Sequence, residues 1–218
     1  MFAQKGAKVI DADKLAHEHL KPTGKAYAKV LRAFGKKILN GKDINRRTLA
    51  GIVFRDPRKL KKLTSIIHPI ILKEVQARIK SLKREPKTRL VVVDAPLLIE
   101  AGWHKWVDYV MVVKASKALQ IRRVKARKPI SRAQILRRIA SQMPMRQKIN
   151  MADIVIDNRK NLKETQQQTH MIAQRLLARA WFDSSRRCVG TRSPQAGRGE
   201  PILPALEHSS GPGSERRT

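Results

Sequence analysis

Four short apolar segments recur along the chain, at residues 9–10, 90–93, 110–113 and 154–156. Their apolar residues follow one another without polar positions in between, which is typical of strands buried on both faces of a parallel sheet. Segments with a helical period separate the last three of them, as in consecutive strand–helix–strand units. The pattern therefore predicts an α/β fold built on a parallel sheet.

A long segment with a helical period lies between the first and second predicted strands. One apolar stripe consists of Leu60, Leu63, Ile66 and Ile67, and a second consists of Ile71, Val75, Ile79 and Leu82. Pro69 lies between the stripes and is predicted to start a second helix, because proline is tolerated in a first turn. We expect a wholly helical insertion at residues 21–84, on a core formed by residues 1–20 and 85–180.

Composition changes near the end of the chain. Residues 181–218 contain no lysine, are rich in Ser, Gly and Pro, and show neither a helical nor a strand period. Such a segment cannot easily compensate the entropy lost on ordering, so it is predicted to be a disordered tail. The absence of lysine suggests, as a hypothesis, an appended or out-of-frame extension.

The charge of the chain is extreme, with 48 Lys and Arg against 17 Asp and Glu, or +31 in total. A charge of this size predicts polyanionic partners, and it carries no information about the fold. The single cysteine, Cys188, cannot form an internal disulfide, which favours a reducing compartment. The first residues lack the apolar core of a signal peptide, and Asp94 interrupts the longest apolar stretch. We expect a cytoplasmic protein without a membrane span.

Two aspartates follow the first predicted strand in "KVIDADKL". Asp11 and Asp13 are expected to leave on the same face, because side chains alternate across a strand. Ligands of α/β sheets bind beyond the carboxyl ends of the strands, so the pair suggests a ligand site. The alternative is that either aspartate simply caps a helix beginning near Lys14.

Other candidate residues are polar or basic side chains near predicted strand and helix ends. They are Asp94, His68, Arg123, Arg127, Arg138 and Asn158. Each has a structural alternative: a turn residue for Asp94 and Asn158, a cap for His68, and a solvated basic surface for the arginines. Arg123 and Arg127 are four residues apart and would share one helix face. Arginine suits phosphate binding because its planar guanidinium grips two oxygens at once.

Seven stretches of the chain together carry a family resemblance. They are "GAKVIDADKLAHE", "FGKKIL", "INRRTLAGIVFRDPRKLKKLTSIIHPII", "VVVDAPLLIEAG", "DYVMVVKA", "ISRAQILRRIASQMP" and "ADIVIDN". In this order and spacing the chain resembles the dephospho-CoA kinases over roughly residues 6–178. The resemblance implies a phosphate-loop kinase core with a CoA-binding helical insertion and a helical lid near residues 122–145. It also implies ATP-dependent phosphorylation of the 3′-hydroxyl of dephospho-CoA, the last step of coenzyme A synthesis, with Mg²⁺.

The resemblance also implies roles for individual residues. Asp13 matches the base that faces the ribose 3′-hydroxyl, and Asp11 would hold water around magnesium. Asp94, Pro96 and Leu97 would lie where the substrate and nucleotide sites meet, and His68 in the insertion that receives the CoA moiety. The remaining four would contact ATP: Arg123, Arg127 and Arg138 from the lid, and Asn158 beside the adenine.

One part of the family pattern is absent from this sequence. Nothing fits G-x-x-x-x-G-K-[ST], the loop that holds phosphates with backbone N–H groups. In the family this loop and its strand precede the first aspartate motif, and the strand lies between those that correspond here to residues 90–93 and 110–113. We therefore expect a truncated member that lacks its central first strand, and poor activity of the chain as given.

Two further functions stay open at this point: an inactive truncated family member and a basic nucleic-acid-binding protein. Aromatic residues make up only 4% of the chain and do not alternate with the basic ones, so stacking platforms for single strands are lacking. This argues against specific nucleic-acid binding and leaves non-specific polyanion binding open. The sequence gives no indication of the oligomeric state.

Overall fold

A computed structural model describes residues 1–127 and 129–187 of the chain. The strands are β1 Lys8–Asp11, β2 Leu39–Asn40, β3 Asp43–Ile44, β4 Val91–Asp94, β5 Met111–Lys114 and β6 Ile154–Asp157. The α-helices are α1 Ala12–His19, α2 Tyr27–Phe34, α3 Arg46–Val53, α4 Pro57–Leu82, α5 Lys117–Arg127, α6 Arg132–Ala140, α7 Met145–Asn150 and α8 Leu162–Arg187. Short 3₁₀ turns occur at Ala3–Lys5, Lys36–Ile38 and Trp103–Trp106.

The four predicted strands form two parallel pairs, β1 with β4 and β5 with β6. Within the described residues no ladder of backbone hydrogen bonds joins one pair to the other. Val9 on β1 and Val113 on β5 are both nearly half exposed, at 46% and 49%. The parallel strands are thus confirmed, while the additional strand expected between β4 and β5 stays a prediction.

Side-chain caps explain where several helices begin. The Asn45 side chain accepts the backbone N–H groups of Arg47 and Thr48 at the start of α3. Asp56 caps α4 in the same way, with Pro57 in the first turn, where its missing N–H costs nothing. Ser131 and Gln134 cap each other's backbone at the start of α6. These local signals place the starts of α3 and α4 in the insertion and of the predicted lid helix α6.

The largest apolar core joins the insertion to the first strand pair. Ile10 of β1, Leu15 of α1, Val30 of α2 and Ile71 of α4 are all buried in it. The second pair is covered by two smaller clusters. In one, Ile154 and Ile156 pack against Ile172 and Leu176 of α8, and in the other Val110 and Val112 pack against Ile99. The first strand pair therefore has the larger share of the core.

The insertion is not wholly helical, so that prediction is wrong. A short antiparallel hairpin, β2 with β3, interrupts it, and the pair Asn40 and Asp43 closes a two-residue turn. Gly41 in the turn has φ +59°, a left-handed value that glycine adopts without strain. Gly41, the first turn residue in "ILNGKDI", is the local signal for this turn.

Pro69 does not start a helix, because α4 continues through it. Proline inside a helix removes one backbone hydrogen bond and crowds the preceding turn. Here Ile67, Ile71 and Val75, on both sides of the proline, are buried in the same core. Packing of one continuous apolar face therefore outweighs the local cost, and the two predicted stripes belong to one helix.

The predicted tail is wrong for residues 181–187, because α8 continues to Arg187. Residues 188–218 and Cys188 lie outside the described residues. None of the helices described here combines the length and the apolar composition needed to cross a membrane.

Candidate active site

Three carboxylates meet at the carboxyl ends of β1 and β4. Asp11 and Asp94 are the last residues of these strands and are direct partners in the parallel register. Asp13 lies in the first turn of α1, immediately beyond. Partial burial, and then the charges of Asp11 and Asp13, raise the pKa of the Asp94 carboxyl above its ordinary value. The structure therefore brings together three of the predicted site residues.

Asp11 and Asp13 differ in what their carboxylates do. Asp11 caps α1, and its Oδ1 accepts the Lys14 N–H at 2.8 Å. Asp13 is exposed, and its side chain has no hydrogen-bond or ion-pair partner among the described residues. The expectation that both leave one strand face is wrong, because β1 ends at Asp11 and Ala12 begins a helix. The structural alternative is thus correct for Asp11, and Asp13 is left available.

A side chain from the segment between β5 and β6 holds the turn that follows Asp94. The Pro96 carbonyl accepts a hydrogen bond from Lys148 Nζ at 3.0 Å. Lys148 lies on α7 and also pairs with Glu100 at 2.8 Å. Leu97 is partly buried, and its carbonyl accepts the Ala101 N–H. Pro96 and Leu97 therefore belong to a fixed turn, and Lys148 is the side chain that fixes Pro96.

His68 lies on α4 and is half-buried beside Trp103. The two rings meet edge to face, with their centroids 5.9 Å apart. Burial lowers the pKa of His68, and the charge of Glu100 opposes this effect in part. His68 is therefore neutral at neutral pH. It is placed near Glu100, on the same side as the turn after Asp94.

The predicted phosphate-binding arginines do not form one cluster of free side chains. Arg123 on α5 donates to the carbonyls of Asn158 and Lys160, at 2.9 and 3.4 Å. Arg138 on α6 lies over the Phe54 ring, with its guanidinium carbon 5.2 Å from the ring centre. Arg127 is exposed and has no partner among the described residues. The structure thus joins Arg123 to Asn158 and leaves Arg127 available for a ligand.

Asn158 follows β6 and has several backbone and side-chain contacts. Its N–H donates to the Lys114 carbonyl at 2.9 Å, and its Oδ1 accepts from the hydroxyl of the buried Thr165 at 3.1 Å. These bonds fix the loop in the way that a structural turn residue would. They leave the side-chain amide group of Asn158 without a partner among the described residues.

The carboxylates suit a hard cation that is shared with a substrate. Mg²⁺ is usually held by one or two carboxylates together with substrate phosphates. Asp11, Asp13 and Asp94 supply ligands of this kind. Burial raises the pKa of Asp94, the charges of Asp11 and Asp13 raise it further, and a nearby cation would relieve this repulsion. Among the side chains that the structure describes, no three of His, Cys, Asp or Glu are grouped closely enough to hold a metal alone. The site therefore fits a magnesium ion shared with phosphates and does not fit an all-protein one.

Comparisons with known proteins identify the family of the chain. A family model described as dephospho-CoA kinase matches residues 1–164. The chain belongs to the dephospho-CoA kinase family. The dephospho-CoA kinase of Carboxydothermus hydrogenoformans is 40% identical over 177 residues, which cover 81% of this chain and 85% of that protein. The Helicobacter pylori enzyme of the same name is 37% identical, over 81% of this chain and 89% of its own length.

Two solved structures support membership of the dephospho-CoA kinase family. The TT1252 protein of Thermus thermophilus is 30% identical with a TM-score of 0.62, covering 78% of this chain and 85% of that one. The dephospho-CoA kinase of Campylobacter jejuni is 27% identical with a TM-score of 0.57, covering 81% and 88%. The predicted family, its kinase-like α/β fold and its phosphotransferase class are thereby confirmed. The roles of individual residues stay predictions.

Two site residues of this dephospho-CoA kinase family member were missed by the sequence analysis. Glu100 lies in the family stretch "VVVDAPLLIEAG", so its position next to the turn was a usable signal. Lys148 is one of many lysines, and no local pattern marks it as buried. Only the structure shows that its side chain is 11% exposed and bonded to Glu100 and Pro96.

Proposed function

We propose that this chain transfers the γ-phosphate of ATP to the 3′-hydroxyl of dephospho-CoA, with Asp13 as the general base. The observation that carries the proposal is the meeting of three carboxylates at the ends of β1 and β4, of which Asp13 has no partner in the described structure. Membership of the dephospho-CoA kinase family supplies the reaction class. An exposed carboxylate at a strand end can receive the proton of a bound hydroxyl.

Asp13 would orient the substrate hydroxyl and accept its proton as the oxygen attacks phosphorus. The two other carboxylates would act on the negative charge of the phosphates, through a bound cation. Asp94 and the free oxygen of Asp11 would hold a magnesium ion with its water, and the ion would neutralise charge on the phosphates. The raised pKa of Asp94 supports this division, because a carboxylate beside two others gains most from a cation.

The ATP site would lie toward the second strand pair. Arg127 is the exposed arginine of α5 and would contact phosphate oxygens directly. Arg123 would act on the nucleotide through the loop that it holds, because its guanidinium is bonded to the Asn158 and Lys160 carbonyls. Arg138 would follow the lid, residues 122–145, when the lid moves away from Phe54. Asn158 would face the adenine with its unpartnered amide group.

The insertion, residues 21–84, would receive the CoA moiety. Its core is continuous with that of β1 and α1, so the insertion is held firmly against the carboxylates. His68 would present a neutral ring to the substrate, because burial keeps its pKa low. Residues 1–20 and 85–180 would form the kinase core, as the sequence analysis expects.

Coenzyme A formation by the Asp13→Asn variant tests the proposal. Asp13→Asn keeps the size of the side chain and removes the base, so we expect turnover to fall by about 10²–10⁴-fold. Binding of dephospho-CoA, measured by calorimetry, should change by less than about threefold, because the amide can still contact the hydroxyl. Turnover close to that of the unaltered chain would remove Asp13 from the mechanism.

Asp108→Asn is the matched control. Asp108 is exposed and lies just before β5 of the second strand pair, whereas the carboxylates follow the strands of the first pair. It has no hydrogen-bond or ion-pair partner among the described residues. We expect the turnover of this variant to equal that of the unaltered chain. An equal loss in both variants would indicate a general effect of charge rather than a base at position 13.

A further inference from the structure

One ion pair is much less exposed than the others described here. The side chains of Lys148 and Glu100 are 11% and 19% exposed, and Nζ lies 2.8 Å from Oε1. In seven other ion pairs of the described residues, both side chains are at least 29% exposed. Burying two charges is costly unless additional hydrogen bonds compensate them. Solubility, which explains exposed charges, therefore does not explain why this pair is buried.

Both members of the pair hold backbone from other segments. Lys148 Nζ donates to the Pro96 carbonyl at 3.0 Å, two residues after Asp94. Glu100 Oε1 accepts the Met143 N–H at 2.9 Å. Met143 lies between α6 and α7, directly after the lid helix. Two side chains thus join the turn after β4 to the end of the lid.

The pair is also the one described ion pair that joins this turn to α7. The Pro96 carbonyl lies in the turn that follows β4 of the first pair, and Lys148 lies on α7, between β5 and β6 of the other pair. Glu100 Oε2 is buried and has no hydrogen-bond partner in the part of the chain that the structure describes. A buried carboxylate oxygen without a hydrogen bond is costly. The placement of Oε1 against Lys148 and the Met143 N–H is therefore kept at the cost of leaving Oε2 without a hydrogen bond.

We propose that Lys148 and Glu100 are positioning residues that hold the turn after Asp94 at a fixed place relative to the lid. The proposal rests on the proposed function, since it concerns the same site. Lys148 does not touch a reacting group. It acts through the Pro96 carbonyl on Asp94, and Glu100 acts through the Met143 N–H on the segment that joins α6 to α7. A displacement of about 1 Å at a reacting group can cost about a hundredfold in rate, so such a support is worth its desolvation cost.

Hydrogen exchange of Lys148→Met tests the proposal without any substrate. The variant keeps an unbranched side chain and removes the charge, so Glu100 loses its counter-ion and the Met143 N–H loses a fixed acceptor. We expect exchange at least about tenfold faster at the amides of Met143, Leu98 and Ala101. Exchange in β6 should change much less. Uniform acceleration over all of these amides would show a general loss of stability and overturn the proposal.

Lys8→Met is the matched control, because it makes the same chemical change in an exposed pair. Lys8 lies at the opposite end of β1 from Asp11 and pairs with Glu85 at 3.8 Å. We expect unchanged exchange at Met143 and Leu98 in this variant. Faster exchange there would show that removing any lysine charge loosens the turn, and the proposal would fail.

Kinetics provide the second readout. Per mole of folded enzyme, Lys148→Met should lower kcat at least about tenfold, with the KM for dephospho-CoA changed less than about threefold. A purely structural role would change the folded fraction and leave kcat per folded molecule as it was. If the unaltered chain forms no coenzyme A, the proposed function fails, and hydrogen exchange alone then decides the positioning role.

Lys148→Arg covers the case in which Lys148→Met does not fold. Arginine keeps the charge for Glu100, but its planar group cannot reproduce both bonds of an ammonium ion at the same place. We expect a urea midpoint like that of the unaltered chain, together with faster exchange at Leu98. Exchange at Leu98 and Met143 identical to that of the unaltered chain would overturn the proposal.

Discussion

The two strand pairs have the same architecture and opposite electrostatics at their carboxyl ends. Each consists of two parallel strands of four residues in direct register. The first pair ends in two facing carboxylates, Asp11 and Asp94. The second ends in Lys114 facing Asp157, whose side chains form an ion pair at 3.6 Å. Asp157 is additionally bonded to Arg159 at 2.6 Å.

The pKa values of the two strand-end aspartates move in opposite directions. Hydrogen bonds from Arg159 lower the pKa of Asp157 to about 2, while burial and the neighbouring carboxylates raise that of Asp94. One pair is therefore arranged for stability. The other retains a repulsion that a bound cation or substrate could relieve, and such perturbed groups are concentrated at functional sites.

The largest expected difference between the pairs is in activity. Asp94→Asn removes a charge that we place at the magnesium and phosphate contact, so coenzyme A formation should fall at least about a hundredfold. Asp157→Asn removes an equally placed charge of the second pair, and activity should stay within about fivefold, because this carboxylate serves the Arg159 and Lys114 pairs. Comparable losses in the two variants, measured per folded molecule, would abolish the functional distinction between the strand ends.

Stability should respond with opposite signs. At pH 7, Asp94→Asn relieves repulsion and should raise the free energy of unfolding by up to about 1 kcal/mol, a small value because water screens the partly exposed group. Asp157→Asn loses the bonds to Arg159 and should move the urea midpoint downward. Urea melts of both variants beside the unaltered chain measure this. A lower midpoint in Asp94→Asn would mean that its carboxylate is stabilised by a partner.

Acidification should remove both differences. The folded pKa of Asp157 is about 2, below the ordinary 3.8, so its stabilisation is complete above pH 3.8 and is lost as the pH falls through about 2. For Asp94 the folded pKa is raised, so its penalty is present at neutral pH and disappears by the time the pH falls to 3.8. The advantage of Asp94→Asn should therefore vanish at a higher pH than the deficit of Asp157→Asn. Melts at pH 7, 5, 4 and 3 test the order of these losses.

The sequence predicts the strands well because their signal is local. Runs such as "VVVD" and "IVID" combine apolar residues with a terminal aspartate, and all four predicted strands form. The local signal fails at Pro69, where packing of one apolar face on both sides of the proline keeps α4 continuous. It also overlooks the hairpin at Gly41, because two-residue strands are too short to show a period.

The candidate site is predictable in its residue types and less so in its contacts. Asp11 and Asp94 are visible as strand-end carboxylates, but their register is a matter of sheet pairing. Asp13 is placed by the start of a helix, which alternation along a strand could not anticipate. Lys148 is indistinguishable from the surface lysines until the buried Glu100 is seen beside it. The positions of these side chains depend on contacts between segments distant in sequence, which local sequence patterns do not reveal.

The smallest expected effect concerns Lys114, the partner that Asp157 faces across the second pair. Lys114 and Asp157 side chains are 35% and 29% exposed, and their charged atoms lie 3.6 Å apart, so solvent screens most of their attraction. Lys114→Met should therefore lower the free energy of unfolding by roughly 0.5 kcal/mol or less. The residual effect should decrease further in 1 M salt, where the Debye length is about 3 Å. Asp157 keeps its closer bond to Arg159 in this variant, so its pKa should remain low. A loss as large as that of Asp157→Asn would show instead that the cross-strand pair, and not Arg159, distinguishes the second strand end from the first.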